Sequence, residues 1–131
     1  MNWVKARAEC SLEHVFQILA EVLDSDVKEA NKLGRRGVEF KINAAAERKI
    51  VVSRTRDADG VDEIVSVVVE LLPGKITATR KENVKDLVKP PFLTAIPGLN
   101  RDGECLLEIG GESLRLWQAS RMALEDLFFG F

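Results

Sequence analysis

One change of rhythm constrains this chain more than any other feature. Apolar residues recur every three or four positions over residues 12–33, alternate every second position from Val38 to the middle of the chain, and return to helical spacing over 119–129. A chain patterned in that order predicts an α+β fold: a long helix in the N-terminal half, an antiparallel sheet of five to seven strands, and a short C-terminal helix, packed as two layers. Its 131 residues fit one domain, residues 1–131, with enough surface to bury for a core to form without staples.

The helical segment is specific in detail. Ser11 stands where an N-cap belongs, and Glu13 places a carboxylate in the first turn, where it complements the helix dipole. Leu12, Val15, Phe16, Leu19, Val22, Leu23, Val27 and Ala30 make one continuous stripe that crosses the polar step at Asp24-Ser25-Asp26, so a single helix is expected. Gly34 is its expected C-terminal stop. Ahead of it, Val4, Ala6, Ala8 and Cys10 alternate with charged residues, which predicts a first strand over 3–10.

From Val38 onward the strands follow in quick succession. Residues 38–43 and 49–56 alternate, Asp57 to Gly60 carries turn chemistry, and 63–72 is the densest run of β-branched residues in the chain. Pro73-Gly74 turns that run into 75–81, and Gly110-Gly111 joins 104–109 to 112–117 as a hairpin with a primed turn. Residues 83–103, with Pro90-Pro91, Pro97-Gly98, Asp102-Gly103 and a helical turn near 84–88, predict an ordered crossover loop.

The run at 63–72 raises a problem of burial. Val65, Val67, Val69 and Leu71 share one face, while Ile64, Val68 and Leu72 make the other substantially apolar too. A sheet wetted on one side alternates more cleanly than this, so the second face is expected to be covered by the 83–103 loop, the other helix or a second subunit.

The chemistry-bearing residues are few. His14 is the single histidine, sits off the apolar stripe, and has no nucleophile-elbow sequence to serve, so catalysis is not expected. Cys10 and Cys105 belong to no CxxC pair; with His14 they fall short of four zinc ligands, so no metal is expected. A disulfide is open on count alone, but beside an N-terminus without the apolar run of a signal peptide the expectation is two buried thiols in a cytoplasmic protein. Asp57, Asp59, Asp62 and Glu63 crowd a short loop without EF-hand order, which reads as a solvated hairpin tip. No phosphate loop or cofactor motif is present, so no cofactor is expected.

Charge excludes some partners. The formal net charge is −2, and residues 35–89 carry twelve basic and nine acidic side chains, a mild excess set against acidic ends. Nucleic-acid binding needs far more concentrated Lys and Arg, and bases would find only Phe40 to stack on among these strands, so it is not expected. No stretch approaches the length of a membrane span.

What remains is apolar surface. Three of the six Phe residues fall in the last four positions, as Phe128, Phe129 and Phe131, with Trp117 at the hairpin-to-helix junction. The expected function is a non-catalytic interaction module that binds a protein partner or itself, as a homodimer, through Ile64, Val68, Leu72, Trp117, Phe128, Phe129 and Phe131. The alternative is a small hydrophobic-ligand binder or minor enzyme with its pocket between the sheet and the long helix, rimmed by Pro90, Pro91, Phe92 and Ile96. No motif ties the chain to a known family.

Overall fold

The computed structural model describes residues 2–58, 60–82 and 89–130, apart from the side chains of Ala45, Ala58 and Val61. Its element order is α1 (Trp3–Glu9), α2 (Leu12–Lys32), β1 (Val38–Ala46), β2 (Lys49–Ala58), β3 (Val61–Leu72), β4 (Lys75–Glu82), β5 (Leu93–Leu99), β6 (Cys105–Ile109), β7 (Glu112–Leu114) and α3 (Leu116–Phe129). The seven strands form one antiparallel sheet in sequence order, each paired with the next. No helix among the described residues is long and apolar enough to cross a membrane.

Helix α2 follows its stripe. Ser11 Oγ accepts the His14 backbone N–H at 3.3 Å, and Val15, Phe16, Leu19, Leu23, Val27 and Ala30 are all buried. The Asp24–Asp26 step does not break it, because Asp24 pairs with Lys28 one turn on and Asp26 accepts a hydrogen bond from Ser120 of α3 at 2.5 Å. At the far end Asn31 imitates a strand: its Nδ2 donates to the Phe40 carbonyl at 2.8 Å and its Oδ1 accepts the Phe40 N–H at 3.0 Å. That pair ties the last turn of α2 to β1, the sheet's edge, after Gly34 has reversed the chain at φ +63°.

Register sorts the side chains into two faces. Arg54, Val65 and Glu82 lie across from one another, as do Val52 with Val67 and Ala78 with Val69 and Leu93. Phe40, Ile50, Val52, Val65, Val67, Val69, Leu71, Ile76, Ala78, Leu93, Ala95, Leu107 and Ile109 therefore point to the inner face and meet the stripes of α2 and α3. Each Val, Leu, Ile or Phe side chain among them, taken fully out of water, contributes roughly 1.5–3 kcal/mol.

Four expectations need correction. Residues 3–9 are a helix, not a strand. Asn2 accepts the Lys5 N–H at 3.0 Å, Lys5 pairs with Glu9, and the run Lys-Ala-Arg-Ala-Glu consists of strong helix formers. Its alternation carries no burial signal, since no residue within α1 is buried and the chain enters the core only at Cys10. Second, Cys10 and Cys105 are bonded to each other, with Cα atoms 5.4 Å apart, in place of two thiols. Cys10 lies in the core cluster and Cys105 begins β6, so the bond pins the α1–α2 junction to the sheet.

Third, the expected loop at 83–103 contains β5, whose turn-like Pro97-Gly98 concealed it. Strand β4 meets β5 only from Ile76 to Ala78, so the Ile96–Leu99 half of β5 has a strand neighbour on one side only, the place where a sheet tolerates proline. The helical turn expected at 84–88 lies outside the described residues. Fourth, β7 stops at Leu114 and α3 begins at Leu116, three residues before the helical spacing becomes visible in sequence; Gln118 Oε1 accepts the Arg115 N–H at 2.8 Å across that start.

The outer face is quieter than its sequence suggests. Among the described residues no helix layer covers β3 there: Ile64 is 48% exposed, Leu72 is half-buried, and Ser66 shares a hydroxyl hydrogen bond of 2.9 Å with Ser53. Val68 is buried, at 7% exposure, yet stands outside the core cluster, between its cross-strand neighbours Val51 and Thr79. Thr77, on the same face of β4, is buried as well, at 2% exposure, so the centre of this face is shielded from water while Ile64 at its margin is not.

Candidate interaction surface on the C-terminal helix

Helix α3 is apolar on more of its circumference than the core can cover. Ala119, Ser120, Ala123, Leu124, Leu127 and Phe128 face inward, and Phe128 meets Phe40 edge to face with ring centroids 4.8 Å apart. The helix end is held from below. Arg54, only 2% exposed, donates from Nη1 to the Leu127 carbonyl at 2.9 Å and pairs with Glu63, which also binds Arg56. A buried cation set against the last carbonyls of a helix satisfies acceptors that have no intrahelical donor. Arg80 adds a second strut by binding both Glu82 and Asp126.

On the opposite side runs the sequence Trp117, Arg121, Glu125, Phe129, each four residues from the next. Such a row is one ridge of the helix surface, about 18 Å from end to end. Its ends are aromatic and open to solvent, Trp117 at 56% and Phe129 at 52%, and its centre is an Arg121–Glu125 ion pair. The hydrogen bond that Arg121 Nε donates to the Glu125 carboxylate, then that carboxylate's charge, raises the Arg121 pKa above the ordinary arginine value. The Arg35 guanidinium lies 5.6 Å from the Phe129 ring centroid, a cation–π contact.

A cleft lies on each side of this ridge, and Trp117, Arg121, Glu125 and Phe129 line both. Between α2 and α3, a cleft of about 630 Å³ adds Ala30, Leu33 and Phe128. Between α3 and β7, one of about 560 Å³ adds Leu114, Met122 and Asp126. A ridge flanked by two grooves, with Met122 and Leu33 also exposed, is what one helix offers to another in ridge-and-groove packing.

The residues singled out in sequence are thus divided. Trp117 and Phe129 stand at the two ends of the ridge, whereas Phe128 is a core residue at 8% exposure, and Phe131 lies outside the described residues. Ile64, Val68 and Leu72 occupy the outer sheet face, remote from the ridge in the layer order. Pro90, Pro91 and Phe92 are exposed on the approach to β5, and Ile96 borders a shallow depression of about 150 Å³ between β5 and β6. The space between sheet and α2 is occupied by the core cluster.

Arg121, Glu125, Met122 and Leu33 carry no flag in the sequence reading. The signal was present in the spacing 117, 121, 125, 129, but Trp117 read as the end of a strand, which hides the first member of the series. The basic residues of the middle do not gather: Arg54, Arg56 and Arg80 turn inward to acidic partners, and Lys49 pairs with Glu70 outside. Among the described residues no three His, Cys, Asp or Glu side chains converge as a metal site requires; Asp59 lies outside that set. His14 is exposed near the start of α2. No protein-family model matches the chain, and neither a curated protein nor a solved structure is similar to it.

Proposed function

We propose that this protein is a non-catalytic interaction module that docks on a protein chain through the outward face of α3. The observation that carries the reading is the ridge, with two half-exposed aromatic residues at its ends and a groove on either side. Aromatic side chains dominate binding energy at interfaces because they bury large area while immobilising few torsions. The one serine hydroxyl lining the α2–α3 groove, Ser120, is buried and donates to Asp26, with no histidine among the groove's lining residues, and Arg121 and Glu125 on the ridge are paired with each other.

A photo-crosslinking residue at position 122, beside the ridge, tests the reading against the same residue at position 94 on the outer sheet face. Protein adducts at 122 and not at 94 are expected; equal yields at both positions would rule the surface out. A small apolar ligand seated between α2 and α3 is the second reading, favoured by a cleft volume within the usual range for such sites. That outcome gives no protein adduct at 122 and a cleft protected by ligand alone. The cellular setting belongs to the same proposal: the sequence points to the cytoplasm, whereas a Cys10–Cys105 bond persists in oxidising surroundings, and the fraction oxidised in cells decides between them.

A further inference from the structure

We infer that the chain seated on this ridge is a second copy of the same protein, packed about a two-fold axis with the two α3 ridges side by side and antiparallel. The inference rests on the docking reading above and adds the partner to it. Its basis is a symmetry in the spacing of four residues. Trp117, Arg121, Glu125 and Phe129 are distributed evenly about a point midway between Arg121 and Glu125. A two-fold rotation through that point sets Trp117 against Phe129 of the partner subunit and Arg121 against Glu125 of the partner subunit, and repeats both contacts with the roles exchanged. Aromatic meets aromatic at each end, and at the centre the two Arg121–Glu125 pairs become a ring of four charges of alternating sign.

An interface on a two-fold axis must be complementary to itself, which an arbitrary surface rarely is. The ridges also have the right geometry, since helices that interdigitate along rows four residues apart cross at about −50°, the commonest packing class, and each ridge then lies in a groove of the other. Area agrees. Trp117, Met122, Phe129 and Leu33 are each about half exposed or more and together offer on the order of 400 Å² of apolar surface. A standard interface takes about 800 Å² from each partner, somewhat over half of it apolar.

Charge argues against a basic partner. Three acids along the grooves are ion-paired within the chain, Glu29 with Lys32, Glu125 with Arg121 and Asp126 with Arg80, and Asp26 accepts a hydrogen bond from Ser120. A basic helix would have to compete with these three ion pairs, while a second copy brings a matching Arg121–Glu125 pair to the centre of the ridge.

The test is sedimentation equilibrium with charge reversals at two exposed positions. The wild-type protein should sediment as a dimer of the 14.6 kDa chain. Arg121→Glu and Glu125→Arg should each raise the dissociation constant by about tenfold or more, because like charges then face each other across the axis. The doubly reversed protein should recover the wild-type constant, but it also regains the intrachain pair. Mixing the two single variants separates these effects: neither has an intrachain pair, yet a mixed dimer has both contacts across the axis, so it should form in preference to either homodimer. Circular dichroism of each variant guards against misfolding.

A wild-type chain that stays monomeric at about 100 μM overturns the inference. In that case adducts at position 122 to a different protein leave the docking reading intact, whereas absence of any adduct removes both. A dimer indifferent to reversal at 121, or a mixture showing no preference for the mixed dimer, places the contact elsewhere and equally overturns the inference.

Discussion

Breaking the Cys10–Cys105 bond should cost this protein a large share of its stability, and the amount follows from where the two residues lie. They are separated by 95 positions in a chain of 131, so the closed loop holds most of the molecule. In the chain-entropy account, a cross-link over a loop of roughly 100 residues removes about 4.7 kcal/mol of conformational freedom from the unfolded state at room temperature. Domains of this kind are stable by about 5–15 kcal/mol, so reduction should consume a third or more of the margin. Reduction deletes no side chain from the core, where Cys10 is buried beside the α2 stripe, so the loss is expected to fall mainly on the unfolded state. Cys105 is exposed, which gives a reductant access without prior unfolding.

Urea denaturation followed by far-ultraviolet circular dichroism measures this directly on the oxidised protein, the dithiothreitol-treated protein and the Cys10→Ala/Cys105→Ala double variant. Both bond-free forms should unfold at a clearly lower midpoint, with a fitted loss of about 3–5 kcal/mol. Their m-values should also rise, because a denatured chain freed of a long loop exposes more surface. Coincident midpoints for oxidised and reduced protein would refute the reasoning. A lower midpoint with an unchanged m-value would instead shift the effect from the unfolded ensemble to native packing.

The remaining predictions concern the helices and one turn. Arg54→Ala should lower stability by about 2–3 kcal/mol in the same assay; Glu63, a third exposed and still paired with Arg56, is not stranded, which keeps the loss below that of a fully buried pair. Arg54→Met, which refills the volume while leaving the Leu127 carbonyl unserved, should lose less; equal losses would remove the packing part of the argument. Phe128→Ala should cost about 3–4 kcal/mol, whereas Phe129→Ala should change unfolding of the monomer by no more than about 0.5 kcal/mol, so similar values would place the two rings in one environment. Gly111→Ala, at φ +84° in the β6–β7 turn, should raise the unfolding rate and cost about 1–2 kcal/mol, readable as a lower thermal midpoint.

How far the site was legible depended on which residue announced it. The sheet strands and α2 were readable because their pattern is local: each alternating or helical run carries its own period, and Ser11, Gly34, Pro73-Gly74 and Gly110-Gly111 mark the ends by backbone chemistry that needs no tertiary context. Residues 3–9 misled because small residues such as Ala6 and Ala8 mimic a buried strand face without being buried, and there the propensity of Lys, Ala, Arg and Glu decides. β5 was hidden by Pro97-Gly98, whose meaning depends on how far a neighbouring strand extends. In the C-terminal segment, Phe128 and Phe129 are indistinguishable as letters; one packs on Phe40 and the other faces solvent, a choice made by the rotation of α3 on the sheet.

The amino-acid sequence by itself determined the class of fold, the long helix and its caps, the tight turns and the inward face of the valine-rich strand, since all of these follow from the period of apolar residues and from the backbone preferences of Gly, Pro and Ser. Only the tertiary structure decided that Cys10 meets Cys105, that Arg54 lies beneath the end of α3, and that Trp117, Arg121, Glu125 and Phe129 stand together on an open ridge. The reason is one of range. Periodicity reports whether a residue is covered, while the identity of what covers it depends on contacts between segments tens of residues apart, which no local pattern encodes.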